Sequence, residues 1–303
     1  MDSGLVAFLS SVRPGAPVDL GNLVVVPLHL PSGSADAELL EEGIAAGHTT
    51  VGEVDHAGDV NRVRVAHAGA RPLLLVDGEE LVGAKQNRIL NASFLVGAAT
   101  RVDIPVSCVE HGRWQRRSSA FTSAARTVSP SVRIEKLANT VRSLRDTGRF
   151  DADQGAVWTT VDRLMRQHGT HSPTSAYAAL ADRRAAAVDE VVERLAPAEG
   201  QLGFAAIRDG RLVSLDLLGS PDLFRRGWRK LARGLVTEDL EPSASPGAAG
   251  IAAAALKLAT IADYARADAP GIGATLHGRV AGLVIAAVAC EGRVYHAVAG
   301  PAP

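Results

Sequence analysis

The sequence predicts an α+β protein: a β-rich N-terminal part of antiparallel sandwich or barrel character, a helical middle, and a C-terminal part of helices and hairpins. Three observations carry this prediction. Short apolar runs separated by turn residues fill residues 23–109. Apolar side chains then recur at three- and four-residue spacing between residues 132 and 195. Beyond them, Asp209-Gly210 and Glu291-Gly292 each sit between two strand-like runs. The chain is accordingly read as three parts of one integrated unit, at residues 1–130, 131–200 and 201–303. With 47% hydrophobic but only 4% aromatic residues, its core has to be built from Ala, Val and Leu.

Residues 23–30, bounded by Gly21 and Pro31, have the pattern of a buried strand. Ser34-Ala35-Asp36 opens a short helix reaching Ile44, with Glu38, Glu41 and Glu42 favouring its early turns. Strands follow at 49–54 and 60–66. Residues 72–82 read as a hairpin, because Asp77-Gly78 separates two apolar runs and Gly tolerates positive φ. Residues 89–96 and 102–109 complete about seven short strands, the count of a sandwich or barrel.

In the middle, residues 132–145 place Ile134, Leu137, Val141 and Leu144 on one helix face. Residues 155–168 repeat the pattern, and Ser172-Pro173-Thr174 precedes a long helix over 175–195. In the last third, 203–207 and 212–217 form a hairpin about Asp209-Gly210. Ser220-Pro221-Asp222 starts a helix, with Ser as cap and Pro at the first helical position. That helix turns Phe224, Trp228, Leu231 and Leu235 inward and Arg225, Arg226, Arg229, Lys230 and Arg233 mostly outward. Residues 242–250 read as a small-residue linker, 252–267 as a helix, and 280–290 with 293–298 as a last hairpin.

Composition removes several function classes. The 32 basic and 33 acidic residues leave a net charge of −1, so no global field draws nucleic acid or anionic lipid. Cys108 and Cys290 alone make no disulfide framework. The start Met1-Asp2-Ser3-Gly4 lacks the basic segment of a signal peptide. The longest apolar run, near 280–289, is far short of the roughly 20 residues that span a bilayer. The expectation is a cytoplasmic protein without a membrane segment.

The polar chemistry concentrates in two places. The first runs from Glu79 and Glu80 to Lys85, Gln86, Asn87 and Arg88, with Asn91 just beyond. Gly78 and Gly83 are spaced like a phosphate loop, but Ala84 separates Gly83 from Lys85 and Gln86 follows where Ser or Thr would hold magnesium. A nucleotide loop of that type is therefore excluded. Four consecutive hydrogen-bonding side chains still supply a point charge, a guanidinium fork and two amides, a set suited to an anionic, hydroxyl-rich ligand. The plainer reading is a polar turn that caps strand ends.

The second place is Cys108-Val109-Glu110-His111-Gly112-Arg113-Trp114. Strand alternation puts Cys108 and Glu110 on one face, as nucleophile and base or as metal ligands. Against this, a neighbouring carboxylate raises a thiol pKa, and a free Cys is more often a small buried hydrophobe. Glu110 beside an apolar strand needs a cation, and Arg88 or Arg113 could serve. The nine histidines are scattered, with no HExxH or CxxC spacing, so no metal and no named cofactor are expected.

"RPLLLVDGEELVGAKQNRILNASFLV" and "IPVSCVEHGRW" resemble the bacterial domain family associated with ADP-ribosylglycohydrolases and rhodanese-phosphatases. "QGAVW", "SPT", "GSPDLFRRGWRKL" and "EGRVYHAVA" extend the resemblance from about Leu23 to Ala299. It implies one family unit with no established reaction, associated with NAD or ADP-ribose metabolism. It also implies that Glu79, Glu80, Lys85, Gln86, Asn87, Arg88, Asn91, Cys108, Glu110, Arg113 and Trp114 are characteristic positions, together with Gln154 and Trp158.

Two functions follow as expectations. In the first, a phosphate-bearing small molecule such as ADP-ribose sits on Lys85 and Arg88, its hydroxyls on Gln86 and Asn87, with Glu110 as general base. In the second, the protein is a non-enzymatic scaffold that binds a protein partner, motivated by the basic helix around Arg225–Arg233 and by the lack of a complete catalytic motif.

Overall fold

The apolar run at 23–30 forms the strand Val24–His29, and this strand joins the two ends of the chain. On one side it pairs with Gln201–Arg208, and on the other with the short strands Arg13–Pro14 and Val18–Asp19. The result is a nine-stranded antiparallel sheet. From Gln201–Arg208 it continues through Arg211–Leu218, Arg293–Pro301, Leu283–Cys290 and Ala274–Val280 to an edge strand, Asp263–Asp268. These relations come from a computed structural model, which describes residues 3–30, 33–55, 59–115, 117–238 and 242–302. Met1-Asp2 and Pro31, used above as chain start and strand boundary, lie outside the described residues.

Six further strands close into a barrel: Thr100–Cys108, Arg62–His67, Thr49–Glu53, Phe121–Thr127, Glu79–Gly83 and Arg88–Leu90. Val51, Val63, Val65, Leu81, Leu90, Ile104, Val106 and Phe121 belong to the apolar cluster at this barrel. A barrel of so few strands is filled by side chains rather than by a ligand. Beside it, Phe94–Val96, Leu73–Leu75 and Glu38–Leu39 make a small sheet whose last pair is parallel. The protein is thus mixed α+β, with its strand-rich N-terminal part containing a closed barrel. Among the described residues no helix is long and apolar enough to cross a membrane.

The helix Pro130–Thr147 lies between these layers. Ile134, Leu137, Ala138 and Val141 pack on Val284, Ala286 and Val298 of the large sheet, while Leu144 joins the barrel cluster. Val132 meets the helices Gln154–Gln167 and Tyr177–Glu193 through Val157, Val161 and Leu180. Another layer, comprising Ser3–Ser11, Pro221–Leu235 and Ala248–Thr260, shares one apolar cluster with the large sheet. Ser220 caps Pro221–Leu235 as expected, its Oγ accepting from the Leu223 N–H at 3.2 Å.

Tertiary contacts overrode local pattern in several places. Leu73–Leu75 and Glu79–Gly83 do not pair, so the expected Asp77-Gly78 hairpin is a corner between two sheets. Gly78 keeps the positive φ (70°) that the dipeptide favours, but Asp77 is fully buried. The single strand expected at 89–96 is two strands in different sheets, divided at residues 91–93. The helix expected from Asp36 begins only at Leu40, because Glu38–Leu39 is drawn into the small sheet. The C-terminal helix spans Ala248–Thr260 rather than 252–267, and Asp263–Asp268 instead pairs with Ala274–Val280. Its Ala content favours helix, but the sheet edge offers a ladder. Lys230 points inward to a buried Glu79 and to Glu41.

At the corner, Asp77 anchors a closed ring of polar contacts. Its N–H donates to Ser93 Oγ (2.8 Å), which bonds His296 Nδ1 (2.7 Å). His296 Nε2 lies 3.2 Å from Asp216, and Arg133 bridges back from Asp216 (2.6 Å) to Asp77 (2.9 Å). Lys136 also pairs with Asp77 and donates to the Asn91 carbonyl at 2.6 Å. Two carboxylates thus balance two cations where burial alone would be prohibitive. Removing one member leaves a buried charge unmatched. Asp77→Ala is expected to cost about 3–5 kcal/mol, read as the loss in unfolding free energy from urea titration at neutral pH.

Candidate functional site

Glu79–Gly83 and Arg88–Leu90 are adjacent barrel strands, pairing Glu80 with Ile89 and Leu81 with Arg88. Residues 84–87 are therefore the loop of a hairpin, and Lys85, Gln86 and Asn87 stand at its tip. The chain turns there through positive φ at Gly83 (128°) and Ala84 (41°). A side chain at Gly83 would meet Ser118 Oγ at 2.6 Å and the Ala120 carbonyl at 2.9 Å. That close approach explains the glycine.

A second segment locks the loop. The Glu110 carboxylate takes a two-pronged contact from Arg113, Nε to Oε1 at 2.8 Å and Nη2 to Oε2 at 2.6 Å. It also accepts from the Asn87 N–H (3.1 Å) and Thr174 Oγ1 (2.8 Å). Arg113 reaches the Ala84 carbonyl (2.8 Å) and Asn87 Oδ1 (3.2 Å), and Asn87 Oδ1 also accepts from the Gly83 N–H. Burial pushes the Glu110 carboxyl up, but Arg113, Thr174 and the Asn87 amide outweigh it and hold the group below its ordinary value. Both oxygens are occupied and the residue is fully buried. This is the arrangement of an anchor, whereas a general base needs a lone pair facing its substrate.

Behind the loop, Arg88 Nη1 donates to Gln86 Oε1 (2.8 Å) and to Cys108 Sγ (2.6 Å), and the thiol lies 3.2 Å from Gln86 Oε1. Burial pushes the Cys108 thiol up to about 11; the Arg88 guanidinium opposes this, while Glu53 and Glu110 add to it. A nucleophilic thiol has the opposite shift and some exposure. Gln154 acts as a substitute strand, accepting from the Cys108 N–H (2.7 Å) and donating to its carbonyl (2.9 Å).

On the outside stands Trp114, 45% exposed, with Lys85 Nζ 5.1 Å and the Arg88 guanidinium 5.6 Å from its ring centre. Arg88 itself is fully buried, and its Nε and Nη2 have no partner among the described residues. Glu53 accepts from the Lys85 N–H through Oε1, and its buried Oε2 likewise has no partner there.

The structure thus brings Lys85, Gln86, Asn87, Arg88, Cys108, Glu110, Arg113 and Trp114 together. The other three stand elsewhere. Glu79 pairs with Lys230 and Glu80 with Arg126, on opposite faces of their strand, where burial raises each carboxyl and the cation counters it. Asn91 donates to the Phe150 carbonyl and accepts from Ser107 Oγ. Sequence reasoning did not single out Glu53, whose carboxylate reaches the loop from a neighbouring strand. Thr174, read from the sequence only as part of a helix start and of the string "SPT", bonds Glu110, while Gln154 of "QGAVW" bonds the Cys108 backbone two residues earlier.

Residues 11–299 match the family described as the ARG and Rhodanese-Phosphatase-superfamily-associated Protein domain. The chain belongs to the ARPP-1 family. That match covers nearly the whole chain, so the ARPP-1 unit includes the barrel, the central helices and the large sheet together. Comparison with curated proteins and with solved structures gave no match.

Because Glu110 is held below its ordinary value, its charge stabilises the fold above the unfolded carboxylate value of about 4.3. That contribution is lost as pH falls through the lower folded value. Glu110→Gln is therefore expected to be less stable than wild type at pH 7. The gap between their urea midpoints should close as pH drops towards 3.

Proposed function

We propose that this ARPP-1 domain binds a phosphate-bearing, nucleotide-derived small molecule at the 84–88 loop, with ADP-ribose as the first candidate. The observation that carries this reading is Arg88. Its Nε and Nη2 form one edge of the guanidinium, two parallel donors that match two oxygens of a phosphate. A buried guanidinium left with that edge unsatisfied costs stability, and such costs persist where function requires them.

The surroundings supply the rest of such a ligand. Lys85 adds a second positive charge, and the free Oε2 of Glu53 accepts from hydroxyls. Trp114 presents an aromatic face, and Val60, 39% exposed, lies beside Cys108 through its carbonyl. Arg88 is fully buried beside the Trp114 ring, so this reading requires Trp114 to move aside for the ligand to reach it. Glu110 and Arg113 hold the loop, while Cys108 and Gln86 orient the guanidinium. The family's association with ARG proteins favours ADP-ribose over other phosphates. The reading claims recognition and assigns no reaction.

The scaffold reading keeps one of its two motives, the lack of a complete catalytic motif, while the basic helix supports it less. Arg225, Arg226, Arg229 and Arg233 are all engaged within the chain, with Asp222, Glu42, Glu193 and Asp189. The basic face is neutralised rather than offered to an acidic partner.

The test is a thermal-shift and denaturation comparison of wild type with Arg88→Met. Unliganded Arg88→Met should be as stable as wild type or more so, since a buried guanidinium with no carboxylate bonded to it is removed. ADP-ribose at about 100 times its Kd should stabilise wild type by about 2.7 kcal/mol and leave Arg88→Met unmoved. No shift with ADP-ribose, NAD or inorganic phosphate, or a shift that survives in Arg88→Met, would sink the proposal.

A further inference from the structure

At the far end of the barrel from any recognised motif, Glu38, His48 and His67 converge. Glu38 Oε2 lies 3.3 Å from His48 Nδ1 and 3.8 Å from His67 Nε2, and the three atoms all fall within 4.8 Å of one another. Glu38 is 7% exposed and His67 2%. Among the described residues the Glu38 carboxylate accepts no hydrogen bond, and His48 Nδ1 is buried without one. A largely buried carboxylate facing two imidazole nitrogens, one of them buried without a hydrogen bond, is a donor set suited to a cation.

We infer that Glu38, His48 and His67 bind one divalent transition metal ion, of the zinc class. Tetrahedral zinc with bonds of about 2.0–2.1 Å spaces its ligands about 3.3–3.4 Å apart, and the two Glu38 separations bracket that spacing. Two imidazoles with one carboxylate select such a metal over calcium or magnesium, which prefer all-oxygen sets.

The supporting contacts fit the same reading. His67 Nδ1 lies 2.8 Å from Thr49 Oγ1, so that Nδ1–H can donate to the hydroxyl and free Nε2 to bind metal. In the metal-free molecule His67 Nε2–H donates to the Arg71 carbonyl at 2.8 Å, so binding a metal through Nε2 would displace that bond and leave the ring proton on Nδ1, facing Thr49. Gly69 closes over the cluster. A Cβ there would come within 2.5 Å of the His67 ring and 2.9 Å of Glu38 Oε2.

Three protein ligands leave a fourth position to water or to the second Glu38 oxygen. Glu38 belongs to the small sheet, while His48 and His67 flank barrel strands, so the metal clasps the two together. No sequence motif announces it, because the three ligands are far apart in the chain. A metal here departs from the expectation of none, and it rests on the fold rather than on sequence spacing. This site is independent of the 84–88 loop.

The test uses the full chain, free of any affinity tag, stripped with chelator and titrated with Zn²⁺ and with Co²⁺. One equivalent of Zn²⁺ should bind, raise the melting temperature, and compete with a Co²⁺ form showing tetrahedral visible absorption. His48→Gln removes a half-exposed ligand without disturbing the core, and should weaken binding by more than about 100-fold. Thr49→Val, which takes away only the orienting hydroxyl, should weaken it by about 10–100-fold. Absence of stoichiometric binding in folded wild type would overturn the inference and leave a carboxylate–imidazole cluster. Binding unchanged in a folded His48→Gln would overturn it equally.

Discussion

The ring through Asp77, Ser93, His296, Asp216 and Arg133, with Lys136 attached, ties the three layers of this protein to one another. Its six members come in pairs from three pieces of the architecture. Asp77 and Ser93 sit at the corners where the chain passes between barrel and small sheet. Arg133 and Lys136 belong to the central helix, and Asp216 and His296 to the large sheet. Apolar packing is non-directional and would tolerate sliding of these layers. Buried ion pairs tolerate little, because a charge displaced from its partner in a low-dielectric interior loses both water and counter-charge. The ring therefore sets register more than it adds net stability.

That rigidity reaches the 84–88 loop. One strand of its hairpin starts just after the Asp77 corner and the other ends at Asn91, whose carbonyl binds Lys136. The clamp of Glu110 and Arg113 then fixes the tip from the opposite side. A ligand site built on strands held at both ends keeps its donors aligned before anything binds, which lowers the ordering cost of recognition.

Within this economy of charge, Arg88 is the exception. Arg133, Lys136, Lys230 and Arg113 are equally buried, and each faces a carboxylate. Among the described residues, Arg88 bonds a thiol and an amide and lies beside an indole ring, and Asp59 acts on it only through space, with no direct ion pair. A protein able to match its other buried cations had the means to match this one. The mismatch stands on the loop that the family resemblance also marks.

Much of this was legible in the chain. Period-two and period-3.6 patterns located the helices at 130–147, 154–167, 177–193 and 221–235 and the hairpin about Asp209-Gly210, because those signals depend on local burial of one face. The residue types at Lys85–Arg88 and Cys108–Trp114 also announced a polar site. What the chain could not disclose was pairing. Asp77-Gly78 has the same local chemistry in a hairpin as at a corner, and only Arg133 and Lys136, more than fifty residues away, decide between them. Glu79 and Glu80 looked like site residues and proved to be matched core charges, since their partners Lys230 and Arg126 are remote. Sequence by itself determined most of the helices and strands and where polar chemistry gathers, for both depend largely on neighbours along the chain. Glu38–Leu39 and Asp263–Asp268, by contrast, became strands only through their partners. Tertiary structure alone decided which charges are matched and which is left over, because counter-charge is a property of space rather than of sequence.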